Sequence, residues 1–200
     1  MNFQEIQKYL RRFVIGIAGA GGLGSNCAAA LVRTGIGGLV IADYDLVEKQ
    51  NLNRQFYFDD QVGMMKTVAL KENLERISQE THIVIHQKKL DRTNIPVVFS
   101  GCDVIVEAFD SAMMKMMIVE TVQSEMPGIP LVVASGIAGW SIDNNLKYRI
   151  IDDFLYVCGD ESTEASEKNP FLAPRVAIVA NMQANAVINI LLKKSEPRSL

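Results

Sequence analysis

The chain has 200 residues, 48% of them hydrophobic, which is enough material for one ordinary domain with a sizeable core. Its 23 acidic and 20 basic side chains are spread along the sequence and leave a formal charge of −3, so no basic field exists to grip a nucleic-acid backbone. Met1 to Arg12 is polar and amphipathic rather than an apolar leader, and no stretch reaches the roughly 18 uninterrupted apolar residues of a membrane span; a cytoplasmic protein is expected.

Phe13 to Ala18 is an apolar run entering the glycine-rich Gly19-Ala20-Gly21-Gly22-Leu23-Gly24, and the alanine-rich Ser25 to Thr34 reads as a helix. Gly35 to Gly38 breaks that helix, and Leu39 to Ala42 supplies a second strand ending at Asp43. Two short, continuously apolar strands around one helix make a βαβ unit of a parallel sheet covered on both faces. Lys66 to Gln79, with Leu70, Leu74 and Ile77 at helical spacing, predicts the next helix, and Ile83-Val84-Ile85 the next strand. Pro96 to Ser100 reads as a short helix or turn, Asp103 to Ala108 as a strand, Ser111 as the N-cap of a helix reaching Glu125, and Leu131 to Ala134 as a further strand. This alternation predicts an α/β fold, Rossmann-like, with a doubly wound and mostly parallel sheet.

The last third changes character. Ile142 to Ile151 and Phe154 to Val157 predict additional antiparallel strands, Gly159 to Pro170 a mobile acidic loop suited to a lid or docking role, and Ala173 to Lys194 a long helix with one apolar stripe. No internal repeat is visible, and a single domain over residues 1–200 is expected. Cys27, Cys102 and Cys158 are widely separated with no Cys-x-x-Cys pair, which predicts neither a disulfide framework nor a zinc site. His82 and His86 flank a β-branched run, where their spacing means two solvent-side positions on one strand face rather than a metal pair on a helix.

A glycine turn opening a helix leaves N–H groups unpaired at the positive end of the helix dipole, a setting that attracts phosphate. Gly19, Gly21 and Gly24 fit this pattern, and Asp43, at the end of the following strand, can accept hydrogen bonds from ribose hydroxyls. Asp45 reads as a turn former. These features fit NAD as well as ATP. A triphosphate needs more cationic and metal support, which Arg54 as a guanidinium fork, Lys66 as an ammonium, Asn51 as a neutral donor and Asp110 as an oxygen ligand for Mg²⁺ would supply.

The string Gly19 to Ser25, with Asp43-Tyr44-Asp45, Asn51-Leu52-Asn53-Arg54-Gln55, Lys66 and Asp110-Ser111, closely resembles the adenylation domain of the ubiquitin-activating enzyme superfamily, and within it ThiF and MoeB. The resemblance runs from Phe13 to Ala134, with a looser match at Ala173-Pro174-Arg175-Val176. It implies ATP and Mg²⁺ as cofactors, with a nucleotide site of Gly19, Gly21, Gly22, Leu23, Gly24, Asp43, Asn51, Arg54, Gln55, Lys66, Asp110 and Ser111. Asp43 would bind ribose, Asn51 and Arg54 phosphates, and Asp110 the metal; Arg54, Lys66 and Asp110 form the implied catalytic set. The partner implied is a ubiquitin-like, ThiS-like sulfur carrier protein ending in Gly-Gly, adenylated in thiamine biosynthesis by a homodimer. Relatives often carry paired cysteines for zinc, which this sequence lacks, so no zinc is expected. A partner-supplied arginine is assigned to neither Arg11 nor Arg12, and Cys158 is read as a buried structural thiol rather than a nucleophile. Rival readings are an NAD-dependent oxidoreductase and a non-catalytic relative that only binds a ubiquitin-like partner.

Overall fold

A computed structural model describes residues 1–142 and 145–193. The elements are α1 (Phe3–Leu10), β1 (Val14–Ala18), α2 (Gly22–Thr34), β2 (Gly38–Ala42), α3 (Lys66–Glu75), β3 (His82–His86), α4 (Ile95–Val98), β4 (Val104–Glu107), α5 (Ala112–Glu125), β5 (Leu131–Ala134), β6 (Lys147–Ile150), β7 (Leu155–Gly159) and α6 (Ala173–Lys193), with 3₁₀ turns at Lys49–Asn51 and Asp59–Gln61.

The strands form one seven-stranded sheet in the order β3-β2-β1-β4-β5-β7-β6, parallel throughout except for the antiparallel β6–β7 pair. The Rossmann-like, mostly parallel sheet expected from the βα alternation is therefore present, with its one antiparallel pair in the C-terminal third. From β1 the chain winds outward through β2 to β3, then returns to lay β4 on β1's other side. That reversal opens a crevice beyond the carboxyl ends of β1 and β4, where α/β sheets take their ligands.

Strand alternation sends side chains to two cores. Ile15, Ile17, Leu39, Ile41, Val104 and Val106 face α2, α3 and α6, while Val40, Ile105 and Leu131 face α4 and α5 around Phe99. Gly16 interrupts β1 because Phe99 fills that space: a Cβ there would sit 2.6 Å from the ring's Cδ1. The long α6 is apolar enough by length and composition to cross a bilayer, but here it packs along α2 and the sheet as a core helix.

Several boundaries differ from the sequence expectation. Helix α2 starts at Gly22, not Ser25, because tertiary contacts override the low helix propensity of its glycines. Helix α3 stops at Glu75 rather than Gln79; the Ile77 and Ser78 N–H groups both turn back to the Leu74 carbonyl. The predicted strand Ile142 to Ile151 is confined to Lys147–Ile150, with its residues 143 and 144 outside the described set, and the strand predicted at Phe154 to Val157 runs from Leu155 to Gly159. Ser111 caps α5, accepting from the Met114 N–H. Lys194, the predicted last residue of the closing helix, also lies outside the described residues.

Candidate functional site

A cleft of about 750 Å³ lies over the carboxyl ends of β1, β2, β4 and β5, a size suited to a nucleotide-scale ligand. Its floor is the turn after β1. Gly19 takes φ +100°, and Gly24 comes so close that a Cβ on it would lie 1.9 Å from the Gly19 carbonyl oxygen. Gly21 is the N-cap of α2 and offers no side-chain cap, so the first-turn N–H groups of α2 remain available to a ligand. A side chain at position 24 must displace backbone. Gly24→Ala is expected to lower stability by about 2 kcal/mol and to open the turn; an unchanged melting temperature would refute this account of the glycine.

Asp43 closes the side of the turn. One carboxylate oxygen accepts from the Ala20 N–H at 2.7 Å and the other from the Asp45 N–H at 2.8 Å. Burial raises its pKa, against the pull of those two N–H groups and of Lys66. Lys66, first residue of α3, has a side chain only 9% exposed and reaches Asp45 at 2.7 Å. Asp45 is thus the counter-ion of the cleft's buried ammonium, and the turn-former reading undervalued it. Arg54 bonds the Asn53 side chain at 2.8 Å and stands 5.8 Å from the centroid of Phe171. Gln55 lines the cleft with a buried Oε1 that has no partner.

Of the residues singled out from sequence, Gly19, Gly21, Gly22, Leu23, Asp43, Arg54, Gln55, Lys66, Asp110 and Ser111 line this one cleft. Gly24 and Asn51 do not. Gly24 packs beneath the turn, and the buried Asn51 spends its side-chain oxygen on the Glu48 N–H at 3.0 Å, shaping the 3₁₀ turn that carries Arg54. Asp110 is exposed at the start of α5. Among the described residues, no three His, Cys, Asp or Glu side chains gather as a ready-made metal site.

Three further features were not read from the sequence. Lys89 lies 5.9 Å from the Tyr44 ring centroid at the cleft's outer end. Glu107, fully buried in β4, binds Lys115 of α5, and Lys115 lines the cleft; an acidic residue inside an apolar strand was the available signal. Asp160 and Arg175 form a buried pair under the segment Thr163–Ala165, which borders the cleft. The run expected to be a mobile loop is tied down at its start: Asp160 accepts from the Ser162 and Thr163 N–H groups at 2.8 and 2.7 Å.

All three thiols are buried. Cys158 is fully enclosed, and burial pushes its pKa up to about 12; Cys102 is pushed to about 12 for the same reason, and Cys27 is also raised.

A glycine turn, a carboxylate at the next strand end and two cations gather around one crevice of a Rossmann-like fold. The chain belongs to the ThiF family, whose model matches residues 2–200, and with it to the ubiquitin-activating superfamily. It is 31% identical over 196 residues to adenylyltransferase and sulfurtransferase MOCS3 of Caenorhabditis briggsae, covering 94% of this chain and 48% of that protein. With the SAMP-activating enzyme E1 of Haloferax volcanii it shares 33% over 117 residues, 58% of this chain and 43% of the relative. The chain thus spans about half the length of these curated relatives or less. In fold it is similar to E. coli tRNA N6-threonylcarbamoyladenosine dehydratase in complex with ATP, at a TM-score of 0.85 and 20% identity over 96% of this chain and 90% of that one.

Proposed function

We propose that this domain binds ATP and adenylates the C-terminal glycine carboxylate of a ubiquitin-like carrier protein. The observation that carries this reading is that Arg54, Lys66 and Asp110 share one cleft with the glycine turn and Asp43. A dinucleotide oxidoreductase has no use for that set. The curated relatives named above as adenylyltransferase and E1 enzyme favour the same reaction class.

In the proposed reaction the carrier's carboxylate attacks the α-phosphorus of ATP, an acyl–phosphate bond forms, and pyrophosphate leaves with the electrons of the broken α–β bridge. The carboxylate is already ionised at neutral pH, so no general base is required. The chain's work is positioning and charge neutralisation. The N-terminus of α2 and its glycines receive the phosphates, Asp43 takes the ribose hydroxyls, and Lys66 and Arg54 balance charge on the α-phosphate and leaving group. Asn51 acts indirectly by holding the turn that carries Arg54. Mg²⁺, when bound, would screen the phosphoryl oxygens, and Asp110 would provide a carboxylate for it, which suits a cation that rarely needs an all-protein cage.

The carrier's globular part docks against the segment from Ala138 to Pro170, with its tail entering past Thr163–Ala165. A ThiS-like carrier of thiamine biosynthesis is the first substrate to assay. A homodimer is the proposed assembly, and Met116, 61% exposed on the methionine-rich α5, is a surface a second copy would cover.

Pyrophosphate exchange tests cofactor, reaction and partner together. Exchange should require ATP, Mg²⁺ and a carrier ending in Gly-Gly, and should vanish when those glycines are removed; NADH binding without ATP binding would overturn the reading. Asp110→Ala is expected to cut Mg²⁺-dependent exchange by about 10²-fold, and parental exchange at ordinary Mg²⁺ concentrations would remove Asp110 from the metal role.

A further inference from the structure

The β4–β5 ladder is short. Its register pairs only Ile105 with Leu131 and Val106 with Val132, so no residue pair joins the strands at the cleft. Beyond that point each strand runs on into a segment that lines the cleft: Ala108, Phe109 and Asp110 after β4, and Ala134, Ser135 and Gly136 at the end of β5.

Glu107 stands at the divergence with no solvent exposure. Its Oε1 accepts from the Phe109 N–H at 2.6 Å, and its Oε2 from the Ala134 N–H at 3.4 Å. Lys115 Nζ donates to both carboxylate oxygens at 2.9 and 3.0 Å and to the Ala134 carbonyl at 3.1 Å. These three acceptors occupy all the protons of the ammonium, so Lys115 borders the cleft with none left for a ligand. From α6, Gln183 Nε2 spans the same two strands, donating to the Glu107 and Val132 carbonyls at 2.8 and 3.3 Å.

We propose that Glu107 and Lys115 are a positioning pair that fixes the separation of these two cleft-lining segments, and thereby where Asp110 stands relative to the entering carboxylate. The proposal rests on the adenylation reading for its kinetic consequence. Replacing a buried ion pair by apolar side chains of similar volume is often neutral for stability, which separates positioning from mere structural support.

The test is the double variant E107M/K115M in the full chain. It is expected to melt near the parent's temperature and to bind ATP with similar affinity in calorimetry. Amide hydrogen-exchange protection at residues 108–110 and 134–136 should fall about tenfold or more, and kcat for carrier-dependent pyrophosphate exchange should drop about tenfold or more while KM for ATP holds. A folded double variant with the parent's kcat overturns the proposal. Should that variant fail to fold, E107Q, which keeps one acceptor oxygen but loses the charge that holds Lys115, carries the test, and a parental kcat there overturns it. If the parent itself catalyses no exchange, the adenylation reading fails separately, and unchanged protection of the two segments in the variants then overturns the positioning pair.

Discussion

Lys66→Ala is expected to reduce pyrophosphate exchange by about 10²-fold or more while leaving the fold intact. The side chain is 9% exposed and its ammonium is held by Asp45, so it enters the cleft partly desolvated, where a fixed cation interacts with developing phosphate charge far more strongly than in water. Removing it costs little stability, about 1 kcal/mol, because Asp45 is half exposed and can turn to solvent. The loss should appear in kcat, with a smaller change in KM for ATP, since the extra charge that the breaking α–β bridge places on the leaving pyrophosphate develops only toward the transition state. Arg54→Ala should fall in the same direction. Normal exchange by both variants would sink the assignment of the cations.

The largest effect on stability is expected from Asp160→Asn. Arg175 and Asp160 are 6% and 1% exposed, and Arg175 Nε has no partner, so the guanidinium relies on this carboxylate and on the Ser141 carbonyl. Breaking a buried pair from one side leaves an uncompensated charge and costs about 3 kcal/mol, a fall of roughly 10 °C in melting temperature for a chain of this size. Acid should act through the same group. Burial alone would raise the Asp160 carboxyl, but the Thr163 and Ser162 N–H groups, the Thr163 hydroxyl and Arg175 together hold it at about 2. Its unfolded value is about 3.9, so its stabilisation is complete above that value and disappears as pH falls through about 2. The gap in stability between parent and variant should therefore narrow over that acid window. A gap unchanged between neutral pH and about pH 2 would refute the linkage.

What the sequence disclosed was local. The run from Gly19 to Gly24, Asp43 one strand later and Ser111 at a helix start each declare themselves through neighbours in the chain, and the alternation of apolar runs gave the parallel sheet. The pairs that stiffen the cleft are joined across the fold instead. Asp160 meets Arg175 only because the loop after β7 folds back over the first turn of α6. Glu107 meets Lys115 because α5 turns back along β4. Asp45 was read as punctuation because its partner, Lys66, lies beyond two 3₁₀ turns. Asn51 was expected as a phosphate donor; its side-chain oxygen accepts from the Glu48 N–H of its own turn, and the residue does not line the cleft. Strand β6 alternates polar and apolar residues, Lys147-Tyr148-Arg149-Ile150, but is exposed on every one, so no buried face fixed its limits.

The enclosure of Cys27, Cys102 and Cys158 has a chemical consequence for the proposed reaction. An acyl–phosphate anhydride hydrolyses in water, and none of these sulfurs is placed to trap it. Its discharge then falls to a nucleophile arriving from outside, so its lifetime depends on how tightly the docked carrier stoppers the mouth of the crevice. Excess ATP turnover per carrier modified becomes a direct gauge of that seal.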